Sequence, residues 1–292
     1  MKLKLTITAF FALTFAFSLS AQLRYGFKTG LNFARIDGPS ETSAAGENLE
    51  TWKNVTGFHI GMSLGYNFTD NYGVRGEFLY SKKGAKYEFK GPSYRIFRYD
   101  GGSTYTTGTS NYLININNSY LDLPVMGYAR WGDFELSAGV YASLLIGSYG
   151  TGSLTYDNGK TDPLGNSVDR VQFNLDYNYR KDKAGEGDNA QTVLVKVDSR
   201  TLELPKQLGA YYDYPEDKGN LFNAADYGLI GGVSYYFSHA LYFGARLQYG
   251  LADLTNNDAD LAKGSTNADK SLIYRADKDK NVNIQVSVGF SF

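Results

Sequence analysis

The sequence predicts an all-β protein: an eight-stranded, antiparallel, up-and-down transmembrane β-barrel with long extracellular loops. Three observations predict this fold. Residues 281–292 place apolar side chains at every even position and polar or small ones at every odd position, which indicates a strand between an apolar and a polar medium. Seven further segments repeat the alternation. The connections between the eight segments are alternately long and short, as in barrels with short periplasmic turns and long external loops.

The first three predicted strands cover residues 23–34, 58–68 and 72–81. In each, aromatic or aliphatic residues alternate with glycine, serine, asparagine or charged residues. A polar loop at 35–53 follows the first strand, and a tight turn at 69–71 joins the second to the third. A second long polar loop is expected from residue 82 to residue 110.

The remaining predicted strands cover residues 120–129, 134–146, 226–237, 241–251 and 281–292. Ile114 and Ile116 precede the fourth strand with the parity opposite to that of Leu121, so a β-bulge is expected near Asn117 and Asn118. Short turns follow the fourth and sixth strands. A polar loop rich in aspartate, asparagine and lysine leads to the last strand.

The longest connection runs from about residue 149 to residue 224 and contains two alternating segments, 168–179 and 191–204. If both segments cross the membrane, the barrel has ten strands. The charged stretch between them would then form an unusually long periplasmic turn. We therefore favour an external hairpin that continues the barrel wall above the membrane, with ten strands kept as the alternative.

Residues 1–21 have the pattern of a secretory signal peptide, with a basic start, an apolar core at 5–17 and small residues before the cleavage point. Cleavage is expected after Ser20 or Ala21. The apolar core is shorter than the about 20 residues that a membrane helix needs. The domain at 22–292 is therefore expected to be exported and to enter the outer membrane of a Gram-negative bacterium as strands.

Eight charged residues fall on the strand faces that are predicted to line the barrel interior. An eight-stranded barrel has an interior just wide enough for its own side chains. Four acids and four bases are therefore expected to pair as a neutral plug, and not to form an active site or an ion path. These residues are Arg24, Lys28, Arg75, Glu77, Asp122, Glu135, Asp226 and Arg246.

The composition argues against several functional classes. The chain has no cysteine, which removes thiolate metal sites and thiol nucleophiles, and its net charge of −1 disfavours a nucleic-acid partner. His59 and His239 have no nucleophile motif or metal spacing around them, so no catalytic residue, cofactor or metal site is predicted. The acidic stretch 253–260 lacks the central glycine and final glutamate of a calcium loop and is expected to be solvated.

Several motifs resemble those of a known family. Residues 120–125, Tyr-Leu-Asp-Leu-Pro-Val, resemble the Y-L-[ED]-[IL]-P segment of the PorT-like outer-membrane β-barrel family of Bacteroidota. Residues 26–33 are similar to that family's opening G-x-K-x-G-x-N strand, and Glu77 with residues 80–84 resembles a later landmark. The resemblance implies an eight-stranded barrel that the outer-membrane assembly machinery inserts through its C-terminal aromatic residues, Phe290 and Phe292. It implies no catalytic residue.

The long polar loops favour a non-enzymatic barrel that displays them to a protein or glycan partner or supports envelope integrity. Tyrosines in these loops, such as Tyr94 and Tyr212, could supply contact area at low entropy cost. An accessory or assembly role in protein secretion, of the type IX kind, is the alternative. A small-solute pore is disfavoured, because pores need wider barrels. The other expected partner is outer-membrane lipid.

Overall fold

A computed structural model describes residues 23–292, and the predicted signal peptide at 1–21 lies outside the described residues. The described part contains thirteen strands and no helix, so it holds no helix able to cross a membrane. In chain order the strands are β1 (Leu23–Asp37), β2 (Glu50–Lys53), β3 (Val55–Asn67), β4 (Tyr72–Tyr99), β5 (Gly102–Trp131), β6 (Phe134–Thr161), β7 (Ser167–Val168), β8 (Val171–Asn178), β9 (Gly187–Val197), β10 (Arg200–Leu208), β11 (Ala225–Tyr236), β12 (Leu241–Gly250) and β13 (Lys280–Ser291).

Eight of these strands pair antiparallel in an unbroken cycle, which we term the ring. The cycle runs β1, β3, β4, β5, β6, β11, β12 and β13, and β13 pairs with β1 again. The two ends of the described chain meet, since the Tyr25 N–H donates to the Phe292 carbonyl at 3.1 Å. The three short connections of the ring lie at this same edge, and every long connection leaves from the opposite edge.

The outer face of the ring is apolar and its inner face is polar. On β13, Ile284 is 51% exposed whereas Gln285 is fully buried, as the alternation of residues 281–292 predicts. The other ring strands repeat this arrangement. Their exposed apolar side chains, which we term the apolar band, include Tyr25, Phe27, Leu31, Phe33, Phe58, Ile60, Met62, Leu64, Tyr72, Val74, Phe78, Leu123, Val125, Phe134, Leu136, Val140, Leu144, Tyr227, Leu229, Val233, Phe243, Leu247, Tyr249, Val288 and Phe290.

Three ring strands continue far beyond the apolar band. β4 and β6 have 28 residues each and β5 has 30, whereas a tilted membrane strand needs about 9–11. We term these continuations, together with β2, β7, β8, β9 and β10, the outer extension. The expectation of a polar loop at 82–110 was therefore wrong, because most of this segment forms paired strands. Lys82 pairs with Ser119, and the ladder continues to the pair Tyr99 and Gly102.

The physical reason for this error is an inversion of polarity along each strand. Within the ring, β4 turns Glu77 inward, but further along the same inward positions hold Ala85, Tyr87 and Phe89, all buried. The outward positions there are polar, as Lys86 and Glu88 illustrate. A strand that leaves lipid for water must exchange its polar and apolar faces, and the alternation then resembles that of a polar loop.

The same inversion explains the change of apolar parity along β5 from which a bulge near Asn117 and Asn118 was predicted. Ile114, Ile116 and Asp122 all point inward, so β5 keeps one parity throughout. The irregularity lies on the facing strand, because Ser119 pairs with Gly147 and Tyr120 with Leu145, which leaves Ile146 of β6 without a partner. The bulge was placed on the wrong strand.

The insertion at 149–224 packs onto the outer part of β6. β6 pairs directly with β11 from Phe134 to Leu144, and β8 pairs with β6 further out, from Tyr149 to Tyr156. No strand of the insertion comes between β6 and β11. Segments 168–179 and 191–204 therefore continue the wall beyond the ring instead of adding two strands to it.

A single large apolar cluster fills the outer extension. It includes buried residues from β4, β5, β6, β8, β9 and β10 and from the loops at 209–224 and 252–279, among them Phe89, Leu154, Phe173 and Leu254. The extension thus has a core of its own. The polar interior of the ring lies below this core, and the boundary between them lies near Tyr120 and Leu145.

Candidate functional site

An ion network occupies the ring interior at mid-height, centred on the buried carboxylate of Glu77. Lys28 Nζ lies 3.2 Å, Arg246 Nη1 2.6 Å and Arg75 Nε 3.5 Å from its oxygens. Arg75 also reaches Glu135, with 2.8 Å between Nη2 and Oε1. The five side chains come from four ring strands, β1, β4, β6 and β12. All five occupy inward positions, so the alternation along each strand brings them together inside the ring.

A second ionic cluster lies closer to the outer extension. Lys83 Nζ lies 2.9 Å from Asp122 Oδ1, both side chains are fully buried, and the ammonium faces the rings of Tyr120 and Tyr141 at 5.0 and 5.2 Å. Asp226 accepts hydrogen bonds from Tyr141 at 3.1 Å and from an asparagine amide at 3.0 Å. Buried charges are tolerated when they are paired in this way.

The eight charged residues selected from the sequence all lie on the inner side of the ring. Seven join these two clusters, whereas Arg24 lies half-buried at the edge near the chain ends and forms no salt bridge among the described residues. Lys83 was missed as an interior charge, because the third strand was expected to end at residue 81. With Lys83 in place of Arg24, four bases and four acids lie in the interior, and Asp226 is the acid held by hydrogen bonds instead of a salt bridge.

Asn32, His59 and Ser287 are hydrogen-bonded in series, in the order that an acid or amide, a histidine and a serine have in a catalytic triad. One ring nitrogen lies 2.9 Å from Ser287 Oγ and the other 2.9 Å from Asn32 Oδ1. The Asn32 amide nitrogen donates to Phe58 O and Ser81 Oγ, so its oxygen accepts from His59 Nδ1, and Nε2 is left to accept from Ser287. The hydroxyl that His59 contacts therefore belongs to Ser287 of β13.

The space around this triad is too small for a substrate. Ser287 borders a cavity of about 20 Å³ that Lys28, Arg75 and Arg246 also line. One water needs about 10–15 Å³ on this measure, so the cavity holds one or two waters. All three triad residues are buried to 3% exposure or less. The geometry therefore supports a hydrogen-bonded packing role, as do the paired charges around it.

A cavity lies in the outer extension, inside its apolar cluster. Its volume of about 90 Å³ has room for several waters. Arg95 lines it with a guanidinium that pairs with Asp213 at 3.0 Å and stacks over Phe173 at 5.0 Å, while its Nε and Nη1 are buried without a hydrogen-bond partner. Seven tyrosines line the wall: Tyr87, Tyr94, Tyr112, Tyr177, Tyr179, Tyr212 and Tyr214.

Acidic residues gather at one end of this cavity. Arg275 binds Glu50 at 2.9 Å and contacts Asp277, and Asp260 and Asp279 lie beside them. Burial, together with the charge of Asp277, raises the pKa of Asp279 to about 7. Burial raises the pKa of Asp260 to about 6. The expectation that residues 253–260 form a solvated loop was wrong for Asp260, which is 9% exposed.

The sequence matches the family model described as outer membrane protein beta-barrel domain over residues 15–256. The chain belongs to this family. No curated protein matches the sequence.

Several solved structures are similar to this outer-membrane β-barrel protein. Ail, the attachment invasion locus protein of Yersinia pestis, is 11% identical over 93% of this chain and 99% of the other, with a TM-score of 0.34. Neisserial surface protein A is 12% identical over 92% and 97%, with a TM-score of 0.36. The outer membrane protease OmpT of Escherichia coli is 9% identical over 93% and 96%, with a TM-score of 0.31.

Two groups of residues in this β-barrel protein were not found from the sequence. Lys83 has the inward parity of the third strand, but that strand was expected to end at residue 81. Ser287 lies on the polar face predicted for residues 281–292, and only its contact with His59 was missed. Arg95, Arg275 and Asp279 lie in segments expected to be loops, and no local pattern distinguishes them from solvated charges. Only the pairing of distant segments makes them buried.

Proposed function

We propose that this protein is a non-enzymatic, integral outer-membrane barrel of eight strands that displays the outer extension on the cell surface to a protein or glycan partner. The observation that carries the proposal is the outer extension itself. It is an ordered β-structure with its own apolar core and cavity, built on three ring strands that continue beyond the apolar band. A barrel needed only for its wall would not require this additional folded mass.

The assignment to a particular branch of outer-membrane barrels rests on the sequence resemblance. We infer that the chain is a PorT-like barrel of Bacteroidota, that residues 1–21 direct its export, and that Phe290 and Phe292 present the assembly signal. Support comes from the motif G-x-K-x-G-x-N, whose Lys28 and Asn32 hold the ion network and the triad-like histidine. Phe290 is 43% and Phe292 74% exposed on the outer face, where assembly factors and lipid have access to them.

A closed interior supports the non-conducting part of the proposal. Two cavities among the ring charges have volumes of about 20 and 10 Å³, enough for one or two waters in the first and at most one in the second. Purified protein in planar bilayers is expected to give no discrete conductance steps. Regular single-channel openings would contradict the proposal and favour the pore.

The display role is tested by removing part of the outer extension. Replacing residues 149–224 by a short glycine-serine linker keeps the β6–β11 pairing from Phe134 to Leu144, so the ring should still fold and show heat-modifiable mobility. We expect crosslinking on intact cells, with a photoreactive residue at exposed Leu113, to capture partners with the full chain and not with the deletion.

Two results would count against display. Equal capture by the full chain and the deletion would place the partner elsewhere. Loss of secreted proteins from a strain without this gene, with an otherwise intact envelope, would favour the secretion role instead. The control is a full chain carrying the photoreactive residue at Tyr235, within the apolar band, which should crosslink to lipid or not at all.

A further inference from the structure

Three carboxylates meet where the loop between β12 and β13 returns to the ring. Asp260 lies on the outgoing half of this loop, and Asp277 and Asp279 lie on the returning half. One oxygen of each carboxylate lies within 4.8 Å of one oxygen of each of the others. The loop therefore brings Asp260 to Asp277 and Asp279, which lie 17 and 19 positions further along the chain.

The neighbouring cations do not balance these acids. Glu50 joins the three aspartates in the same cluster and takes both close contacts of Arg275 Nη1, at 3.0 and 2.9 Å. Arg275 Nε lies 4.0 Å from Asp260, and Lys263 is held over the ring of Tyr87 at 4.8 Å. Four carboxylates thus face two cations, so two negative charges remain in a largely buried place when all four are ionised.

Unused oxygens are the second observation. Asp279 is only 3% exposed; its Oδ2 accepts from Thr255 Oγ1 at 3.0 Å, but its Oδ1 is buried with no hydrogen-bond partner. Asp277 repeats this pattern, because Oδ2 contacts Arg275 whereas Oδ1 is buried and unpartnered. A buried carboxylate oxygen without a donor is costly, so such oxygens point to a missing positive ligand.

We propose that Asp260, Asp277 and Asp279 bind one calcium ion. Hard carboxylate oxygens suit calcium and magnesium. Magnesium demands near-ideal octahedral geometry and usually keeps several of its waters, whereas calcium accepts irregular sets of protein oxygens, so a site built from three side chains favours calcium. The three oxygens, which all lie within 4.8 Å of one another, are close enough for one ion to be placed among them. One divalent ion also cancels the two excess charges.

The ion would join parts of the outer extension that are distant in sequence. Arg275 connects the returning half of the loop to Glu50 at the start of β2 and, at 2.7 Å, to the Pro39 carbonyl after β1. The outgoing half already meets this junction through its backbone, since the Arg275 N–H donates to the Asp260 carbonyl at 2.8 Å, and calcium bound to the three carboxylates would reinforce it. Because the cluster also borders the large cavity, the ion would fix one end of that cavity.

The test uses the full mature chain, refolded in detergent and freed of metal with a chelator. We expect Ca²⁺ to bind with a dissociation constant of about 0.1–1 mM, as in extracellular calcium modules, and to raise the unfolding temperature of the outer extension. Terbium should bind in its place and luminesce on tyrosine excitation, since Tyr214 donates to the Ala259 carbonyl at 2.7 Å, next to Asp260. Added Ca²⁺ should quench this signal.

The informative variant is Asp279→Asn. It should weaken Ca²⁺ and Tb³⁺ binding by roughly tenfold or more, because a charged ligand is lost. In chelator it should unfold at a higher temperature than the unaltered chain, because one of the repelling charges is gone. A purely structural role for Asp279 predicts the opposite order in chelator. Asp258→Asn, an exposed change in the same loop, is the matched control and should alter neither measurement.

Three outcomes would overturn the proposal. The first is a metal-free chain whose unfolding temperature and terbium luminescence do not respond to Ca²⁺. The second is an Asp279→Asn variant that binds Ca²⁺ as the unaltered chain does. The third is an equal response to Mg²⁺ at equal concentration, which would indicate general charge screening instead of a calcium site.

Discussion

Gly30 determines how the interior of the ring is hydrogen-bonded. It pairs with His59 on one side and with Ser287 on the other, so it lies directly between the two residues. A Cβ added at Gly30 would come within 2.8 Å of His59 Cε1 and within 1.9 Å of the Val286 carbonyl oxygen. The absent side chain is therefore what allows the imidazole to reach across β1 to the Ser287 hydroxyl.

At the residue scale, Glu77→Gln should destabilise the ring strongly. Glu77 is the acceptor for three buried cations, and its loss leaves them without a shared counter-charge. Breaking a buried ion pair from one side costs about 3–5 kcal/mol. We expect a lower urea concentration at half-unfolding in lipid vesicles, followed by tryptophan fluorescence.

Glu88→Gln is the control for this change, on the same strand. Glu88 pairs with Lys53 and Lys86, whose side chains are 51% and 41% exposed, so its charge is largely screened by solvent. Equal effects of the two substitutions would show that the interior network contributes no more than a surface ion pair.

The acidic cluster predicts a pH dependence of the metal-free protein. The pKa of Asp279 is about 7 in the folded chain and 3.8 in its ordinary environment, so the folded state binds more protons than the unfolded state between these values. Stability should then fall as pH rises from about 4 to about 7 and level off above. Asp277 and Asp260 oppose ionisation of Asp279, and Arg275 favours it.

Thermal unfolding in chelator at several pH values measures this dependence. The Asp279→Asn variant should lose most of the slope, because it carries no titrating group at that position. A slope of the opposite sign in the unaltered chain would show that Arg275 and Lys263 outweigh burial and the neighbouring acids.

At the scale of elements, one strand serves two environments. β4 packs a charged interior and faces an apolar surrounding over its first part, then packs an apolar interior and faces water over its second part. The polarity of the alternation changes while the backbone ladder continues without interruption to Tyr99. Strand formation is therefore independent of which face is apolar, as period-two geometry requires.

The continuous ladder predicts resistance to protease. In folded protein, trypsin should not cut after Lys86, Lys90 or Arg95, because cleavage needs local unfolding of a paired segment. It should cut first after Lys181 or Lys183, which lie in the exposed turn between β8 and β9. Mass spectrometry of early fragments gives the order, and early cleavage at Lys86 or Lys90 would contradict an ordered β4–β5 hairpin.

At the scale of the whole molecule, two apolar regions with different neighbours are stacked on one set of strands. The apolar band faces outward around the ring, and the apolar cluster faces inward in the outer extension. Replacing an exposed apolar residue by a charged one is therefore expected to have different effects in the apolar band and in the outer extension. In the band such side chains contact lipid, and beyond it they contact water.

Val140→Arg and Leu194→Arg test this division. Val140 is 56% exposed in the middle of the band, and Leu194 is 67% exposed on β9 of the outer extension. An arginine facing the middle of a bilayer costs about 2–4 kcal/mol, so Val140→Arg should lower the fraction inserted into vesicles. Leu194→Arg should leave insertion unchanged. Similar losses for both, by heat-modifiable gel mobility, would argue against a lipid-facing band at Val140.

The sequence by itself determined the strands of the ring, their inward and outward faces, and the side of the ring from which the long connections leave. These follow from a local, period-two pattern that chain neighbours alone create. It did not determine the outer extension, the partner of His59, or the cluster of Asp260, Asp277 and Asp279. These three features depend on which distant segments pair. A charged residue in a loop becomes buried, and loses its solvent screening, only after the chain has folded around it.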